Sequence, residues 1–150
     1  MGIEEDIRQQ KKFVNEYEKL IVNLMFTSSW LDGMRIQNLK PFGISPQQYN
    51  VLRILRGAFP EPVRLADITD RMIDKNSNAT RLVEKLRQKG FLKREICKQN
   101  RRQVDIWITP KGLELLTETD KLSGEWLKVF KTIQKTEAQE LNRILDKLRS

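Results

Sequence analysis

The stretch Ser77–Gly112, SNATRLVEKLRQKGFLKREICKQNRRQVDIWITPKG, decides the fold. Its first half has a helical period. Ala79, Leu82, Val83 and Leu86 form one apolar stripe over a helix from about Ser77 to Lys89. Gly90 then supplies the left-handed residue on which helices commonly stop. Beyond it the period changes to two. Leu92–Ile96 and Gln103–Ile108 read as strands, with Val104, Ile106 and Ile108 alternating against Gln103, Asp105 and Trp107. The polar, basic run Cys97-Lys98-Gln99-Asn100-Arg101-Arg102 is the hairpin tip between them. Thr109-Pro110 opens another helix, with Thr as N-cap and Pro at the first helical position.

Upstream, Leu65, Ile68 and Met72 share one face of a short helix over Leu65–Met72. The turn Ile73-Asp74-Lys75-Asn76 separates it from the helix that begins near Ser77. Two short helices joined by a tight turn make a helix-turn-helix. Followed directly by a basic hairpin, they have the order of a winged helix. Before them, Ser45-Pro46-Gln47-Gln48 starts a helix with a capping box. Tyr49, Leu52, Leu55 and Phe59 are its apolar stripe, and Gly57 and Pro60 end it. Lys40-Pro41-Phe42-Gly43 is a break, and Val63-Arg64 is too short to assign.

The flanks are helical. Residues 4–32 hold no Gly or Pro, and Ile7, Val14 and Ile21 recur every seven, with Tyr17, Leu24 and Leu31 three residues after the a-type positions 14, 21 and 28. Gln10 and Ser28 interrupt it. The spacing predicts one helix of roughly 28 residues, about 40 Å long, packing against something outside its own core. After Pro110 the apolar residues are Leu113, Leu116, Leu122, Trp126, Leu127 and Phe130, with Gly124 a candidate bend or division. A last helix from about Thr136 to Arg149 presents Leu141, Ile144, Leu145 and Leu148. The predicted fold is therefore mainly α with a small β-hairpin, a winged helix-turn-helix plus a helical dimerisation domain. It divides into an N-terminal dimerisation helix in 1–40, the winged helix in 44–109 and C-terminal dimerisation helices in 110–150, all one structural unit.

With 150 residues the chain is long enough to bury a core without disulfides. It has no His and a single Cys. That composition excludes His-based triads, His-ligated zinc and CxxC chemistry. No pair of remaining residues resembles an acid/base constellation, so neither an enzyme nor a cofactor or metal is expected. Lack of disulfide pairs fits a reducing compartment, and the expected location is the cytoplasm. No run of 18 apolar residues occurs, and MGIEEDIRQQ is unlike a secretory signal, so no membrane is expected.

The formal charge is +8. Residues 81–111 alone hold ten basic residues against three acids, net +7. An excess concentrated on a helix-turn-helix and its wing is a footprint for phosphates. With the apolar stripe inward, Ser77, Arg81, Lys85 and Gln88 project outward, and Asn78 and Thr80 lie on the shoulders. Asn suits adenine, Arg suits guanine or phosphate, and Ser and Thr suit phosphate oxygens. Asn76, Ser77 and Asn78 are equally suited to capping. The candidate DNA-binding set is Lys75, Asn76, Ser77, Asn78, Thr80, Arg81, Lys85, Arg101 and Arg102.

In the order of its elements the chain resembles the multiple antibiotic resistance regulator (MarR) family of bacterial transcription factors, over nearly its whole length. The resemblance is carried by SPQQYNVLRILRG, LADITDRM, SNATRLVEKLRQKGFLKRE, NRRQVDIWIT and TPKG. It implies an obligate homodimer joined through the first and last helices. It implies a recognition helix in the major groove of double-stranded DNA and a wing arginine in the minor groove. Many members release DNA on meeting a small-molecule or oxidising signal. The resemblance thus implies a regulator, more often repressor than activator, on a pseudo-palindromic operator. Two features depart from the family. Asn100-Arg101-Arg102 stands where the wing usually has Asp-x-Arg, and Ile73-Asp74 replaces the common Gly-apolar pair of the turn. By position Arg102 is the minor-groove arginine. Phe26, Trp30, Met34, Tyr49 and Phe59 are the candidate effector-pocket residues. Cys97, beside Lys98, Arg101 and Arg102, makes a redox-sensing regulator one alternative. A winged-helix module for protein or RNA is the other.

Overall fold

A computed structural model describes residues 1–150. Its elements are α1 (Ile3–Asp6), α2 (Glu16–Leu39), α3 (Pro46–Ala58), β1 (Val63–Arg64), α4 (Leu65–Arg71), α5 (Ala79–Gln88), β2 (Leu92–Ile96), β3 (Val104–Ile108), α6 (Pro110–Phe130) and α7 (Lys135–Arg149).

The core lies in the middle of the chain. Sixteen buried residues between Leu39 and Leu116 form one cluster. Its centre is Leu52 and Leu55 of α3, Ile68 of α4, Val83 and Leu86 of α5, Ile106 of β3 and Leu116 of α6. The start of α3 follows its capping box: Gln48 N–H donates to Ser45 Oγ at 3.1 Å, and Ser45 N–H donates to Gln48 Oε1 at 2.9 Å. The hairpin β2–β3 is antiparallel with Arg94 opposite Ile106 and Leu92 opposite Ile108. Val63-Arg64, unassigned from sequence, adds a third strand, in the order β1-β3-β2. Val63 sits across from buried Ile106, so a two-residue strand is held by core packing rather than by its own periodicity.

The corner between α5, β2 and α6 is closely built. Gly90 has φ +80°. Gly90 N–H donates to Arg87 O at 2.9 Å and Phe91 N–H to Leu86 O at 3.0 Å, the paired bonds that close a helix on a left-handed residue. Thr109 joins this corner to α6. Its Oγ1 accepts from Gly112 N–H at 3.2 Å and donates to Gly90 O at 2.7 Å. Gly112 lies so close to the Phe91 carbonyl that a Cβ would overlap that oxygen and come within 2.8 Å of Ile108 Cγ1.

The N-terminal region differs from the sequence expectation of a helix through 4–32. α1 is a single turn, Arg8 has φ +53°, and the helix restarts only at Glu16. Asn15 is the reason: its Oδ1 accepts Glu18 N–H at 2.9 Å, while the Glu18 carboxylate accepts Val14 N–H at 2.7 Å. The Asn15 cap, with Glu18 also holding Val14 N–H, starts a new helix inside the seven-residue pattern, which places Ile7 and Val14 outside it. Lys19 holds α1 back on α2 through Glu4 at 2.7 Å. At its other end α2 continues through Gly33 to Leu39. Helix α6 likewise runs through Gly124 without division.

Candidate nucleic-acid interface

Helices α4 and α5 are set by the turn between them. Asn50 of α3 accepts Ile73 N–H on its Oδ1 at 2.9 Å, fixing the exit from α4. Asp74 Oδ1 accepts Asn76 N–H at 3.0 Å, and Asp74 O accepts Ser77 N–H at 3.1 Å. The side chain of Lys75 reaches back to the carbonyl of Asp70. Helix α5 begins at Ala79, two residues later than the expected start at Ser77, because Asn78 is the cap: its Oδ1 accepts Arg81 N–H at 3.1 Å. Ser77 therefore does not project from the helix. Its Oγ is inaccessible to solvent and has no hydrogen-bond partner.

Thr80, Arg81 and Lys85 lie exposed on the outer face of α5, and the ammonium and guanidinium of Lys85 and Arg81 form no ion pair. The one acid of α5, Glu84, is neutralised locally. Arg87 donates to its two oxygens at 2.6 and 2.9 Å. That hydrogen bonding, with smaller help from the charge of Arg94, holds the Glu84 carboxyl below the usual carboxylate range. The outer face of α5 thus presents unopposed cations.

The wing tip is shaped by Asn100. Its Oδ1 accepts the backbone N–H of Arg102 at 3.1 Å, and its carbonyl accepts Gln103 N–H at 2.9 Å. The hairpin closes below it with Cys97 N–H donating to Gln103 O at 2.9 Å. Asn100 therefore fixes the backbone of the tip and leaves both neighbouring guanidiniums free. Arg101 and Arg102 are exposed and unpaired, and Cys97 is half-buried. Between α5 and the wing lies an open cleft lined by Thr80 of α5, Arg102 of the wing and Arg64 of β1. Arg64 and Asn50 were absent from the sequence-derived set. No periodicity marks a two-residue strand, and nothing local shows that an Asn on α3 meets a turn 23 residues later.

The five effector-pocket candidates do not meet in one chamber. Tyr49 lines a cavity of about 40 Å³ with Arg35, Leu39, Phe42, Leu122 and Trp126. Such a space is well below the ~300 Å³ at which drug-sized pockets begin. Phe26 and Trp30 are exposed on α2, Met34 is half-buried there, and Phe59 is exposed beyond the end of α3. No helix is long and apolar enough to cross a membrane.

The model of the MarR family matches residues 44–104, from just before α3 to the first residue of β3. The rest of the chain lies outside that match. Among relatives, the transcriptional repressor MprA of Escherichia coli is 25% identical over 137 residues, 89% of this chain and 78% of that protein. The helix-turn-helix-type transcriptional regulator YkoM of Bacillus subtilis is 33% identical over 81 residues. That match takes in 54% of this chain and about half, 51%, of the relative's length. Among solved structures, a MarR mutant from E. coli complexed with operator DNA superposes with a TM-score of 0.78 at 20% identity, covering 92% of this chain and 99% of that one. This last likeness establishes a shared fold.

Proposed function

We propose that this chain is a MarR-family transcriptional regulator, cytoplasmic and homodimeric, that represses by occupying a pseudo-palindromic site in double-stranded DNA. The observation that carries the reading is the set of exposed, unpaired cations at Arg81, Lys85, Arg101 and Arg102, on the two elements that project from the winged-helix core. Helix α5 enters the major groove, with Thr80 and Arg81 nearest the base edges. Lys85, with Lys75 and Asn76 of the turn, meets flanking phosphates. Asn78 caps the helix at the same edge. The wing enters the adjoining minor groove, whose negative potential attracts arginine. The E. coli MarR mutant of the same fold is complexed with operator DNA, and MprA is a repressor; both support carrying this function to the chain.

The dimer is part of the proposal. Helix α7 has no buried residue and α2 has only Leu39. A second copy is the natural cover for their exposed apolar side chains. A small-molecule effector would act in the seam between copies, because the cavity beside Tyr49 is too small within one chain.

The test is selection of bound sequences from random duplexes, followed by isotherms at several salt concentrations on selected and random DNA. Two half-sites related by two-fold symmetry, bound by a dimer with a steep salt dependence, are expected. Equal affinity for all duplexes, or preference for a folded RNA or an acidic protein, would overturn the reading.

A further inference from the structure

The cleft between α5 and the wing has no assigned role, and it sits where duplex geometry requires something. The major groove and the minor groove beside it are separated by one sugar-phosphate strand. With α5 in one and the wing in the other, that strand passes between the two elements. This inference rests on the proposed DNA binding.

The cleft is about 480 Å³, far larger than the ~10–15 Å³ that one water needs. Six polar residues line it, Arg64, Thr69, Thr80, Asn100, Arg102 and Gln103, and no carboxylate does. Their hydrogen-bonding capacity can be counted. Thr69 already donates its hydroxyl to Leu65 O at 3.1 Å. Gln103 Nε2 donates to Asp105 Oδ1 at 2.9 Å. The amide nitrogen of Asn100, whose Oδ1 is taken by Arg102 N–H, the hydroxyl of Thr80 and the guanidiniums of Arg64 and Arg102 remain unused. What is left is a set of donors with net positive charge, which is a site for an anion.

Arg64 is the unexplained member. Its strand register places it opposite Asp105, the acid that would ordinarily pair with it. No ion pair forms, because Asp105 is engaged by Gln103 and the Arg64 side chain faces the cleft. An exposed arginine without its cross-strand partner, lining a donor-rich groove, has a planar fork suited to a phosphate.

We infer that Arg64 of β1 is a phosphate clamp, gripping the DNA backbone strand that runs between α5 and the wing, with Thr80 and Arg102 on either side. It therefore adds affinity and fixes how deeply both elements seat, while carrying no sequence preference of its own.

Arg64→Gln removes the charge from an exposed position, and Arg64→Lys retains it without the fork. Lys12→Gln serves as a control, removing the same charge outside the winged helix. Isotherms for the full-length protein would be measured on its selected duplex and on random duplex, from low to physiological salt. Each lost phosphate contact lowers the slope of log affinity against log salt by about 0.9, or about 1.8 for the two protomers of a dimer. Affinity at 0.15 M salt should fall roughly fivefold per protomer by the same relation, and in equal proportion on both duplexes. Arg64→Lys should recover most of the slope, and Lys12→Gln should leave it unchanged. If Arg64→Gln keeps the wild-type slope and affinity, or if it alters base preference instead, the clamp is overturned while DNA binding stands. If the wild-type protein shows no affinity for duplex DNA, the proposed function fails first and the clamp with it.

Discussion

The winged helix and the helices around it bury their apolar surface in different ways. Between Ile44 and Leu116, apolar residues close on one another into a single core. In α2 and α7, residues of the same kind stay open: Tyr17, Ile21, Met25 and Trp30 on α2, and Leu141, Ile144 and Leu148 on α7. Both regions are capped, with boxes at Ser45 and Gln134 and Asn15 accepting Glu18 N–H at the start of α2. Local helix signals therefore do not separate them. What separates them is whether the apolar face finds a partner within the same chain. The winged helix closes its apolar residues into a core within the chain, with Leu39 of α2 and Leu116 of α6 contributing, whereas α2 and α7 leave most of their apolar face exposed.

The largest effect should come from polar substitution on that face. Leu141→Ser, Ile144→Ser and Leu148→Ser together touch no buried residue, so the winged-helix core should keep its melting transition. The protein should sediment as a monomer at micromolar concentration. Losing the linkage between two half-sites should weaken operator binding by roughly 10²–10⁴-fold. A triple variant that remains a dimer would show that α7 covers nothing and would erase the contrast between the regions.

Next is the same kind of deletion inside the core. Leu86 is fully buried on α5. Leu86→Ala should cost about 2–5 kcal/mol in urea unfolding, from lost transfer energy and the cavity left behind. A cost below the range of a surface change, ~0.5 kcal/mol, would mean that α5 is not anchored as described.

Gly112→Ala tests the corner rather than the core. The added methyl would overlap the Phe91 carbonyl and crowd Ile108, so α6 must shift against the end of α5. A loss of about 1–3 kcal/mol is expected, with the helix content unchanged. Because Ala favours helix over Gly, a gain in stability would show that the corner yields easily.

These two positions also show what a sequence can reveal. Leu86 was legible because four apolar residues at helical spacing mark a buried stripe. The starts of α3 and α6 were legible because Ser45-Pro46 with Gln48, and Thr109-Pro110, carry their caps beside them. The need for glycine at position 112 was not legible, since it arises where α6 meets a carbonyl 21 residues earlier. Strand β1 depends in the same way on Ile106, and the α4–α5 turn on Asn50. The break at residues 7–15 was hidden by Ile7 and Val14, which continue a seven-residue repeat that the backbone does not follow. For the candidate site, charge placed the face on α5 and the wing. Charge could not tell which of Asn76, Ser77 and Asn78 caps the helix, because Asn and Ser both can.

The smallest effect concerns that cap, and it asks whether one residue serves the fold, the site or both. Asn78 Oδ1 accepts Arg81 N–H, so its oxygen is committed to the first turn of α5 while its amide nitrogen stays free to donate. Reading adenine in the usual two-bond manner needs both atoms. Asn78→Ala should cost about 1 kcal/mol of stability through loss of the cap. Asn78→Ser keeps a capping oxygen and should restore most of that stability, but it removes the amide donor. Unfolding curves and binding isotherms on the selected duplex then separate the roles. If the Ser variant recovers stability and binds as the wild type does, Asn78 serves the fold alone. If it recovers stability yet binds more weakly on the selected duplex than on random DNA relative to wild type, the free amide reads a base. If both Ala and Ser variants are as stable as the wild type, Asn78 is not the cap, and the start of α5 at Ala79 is wrong.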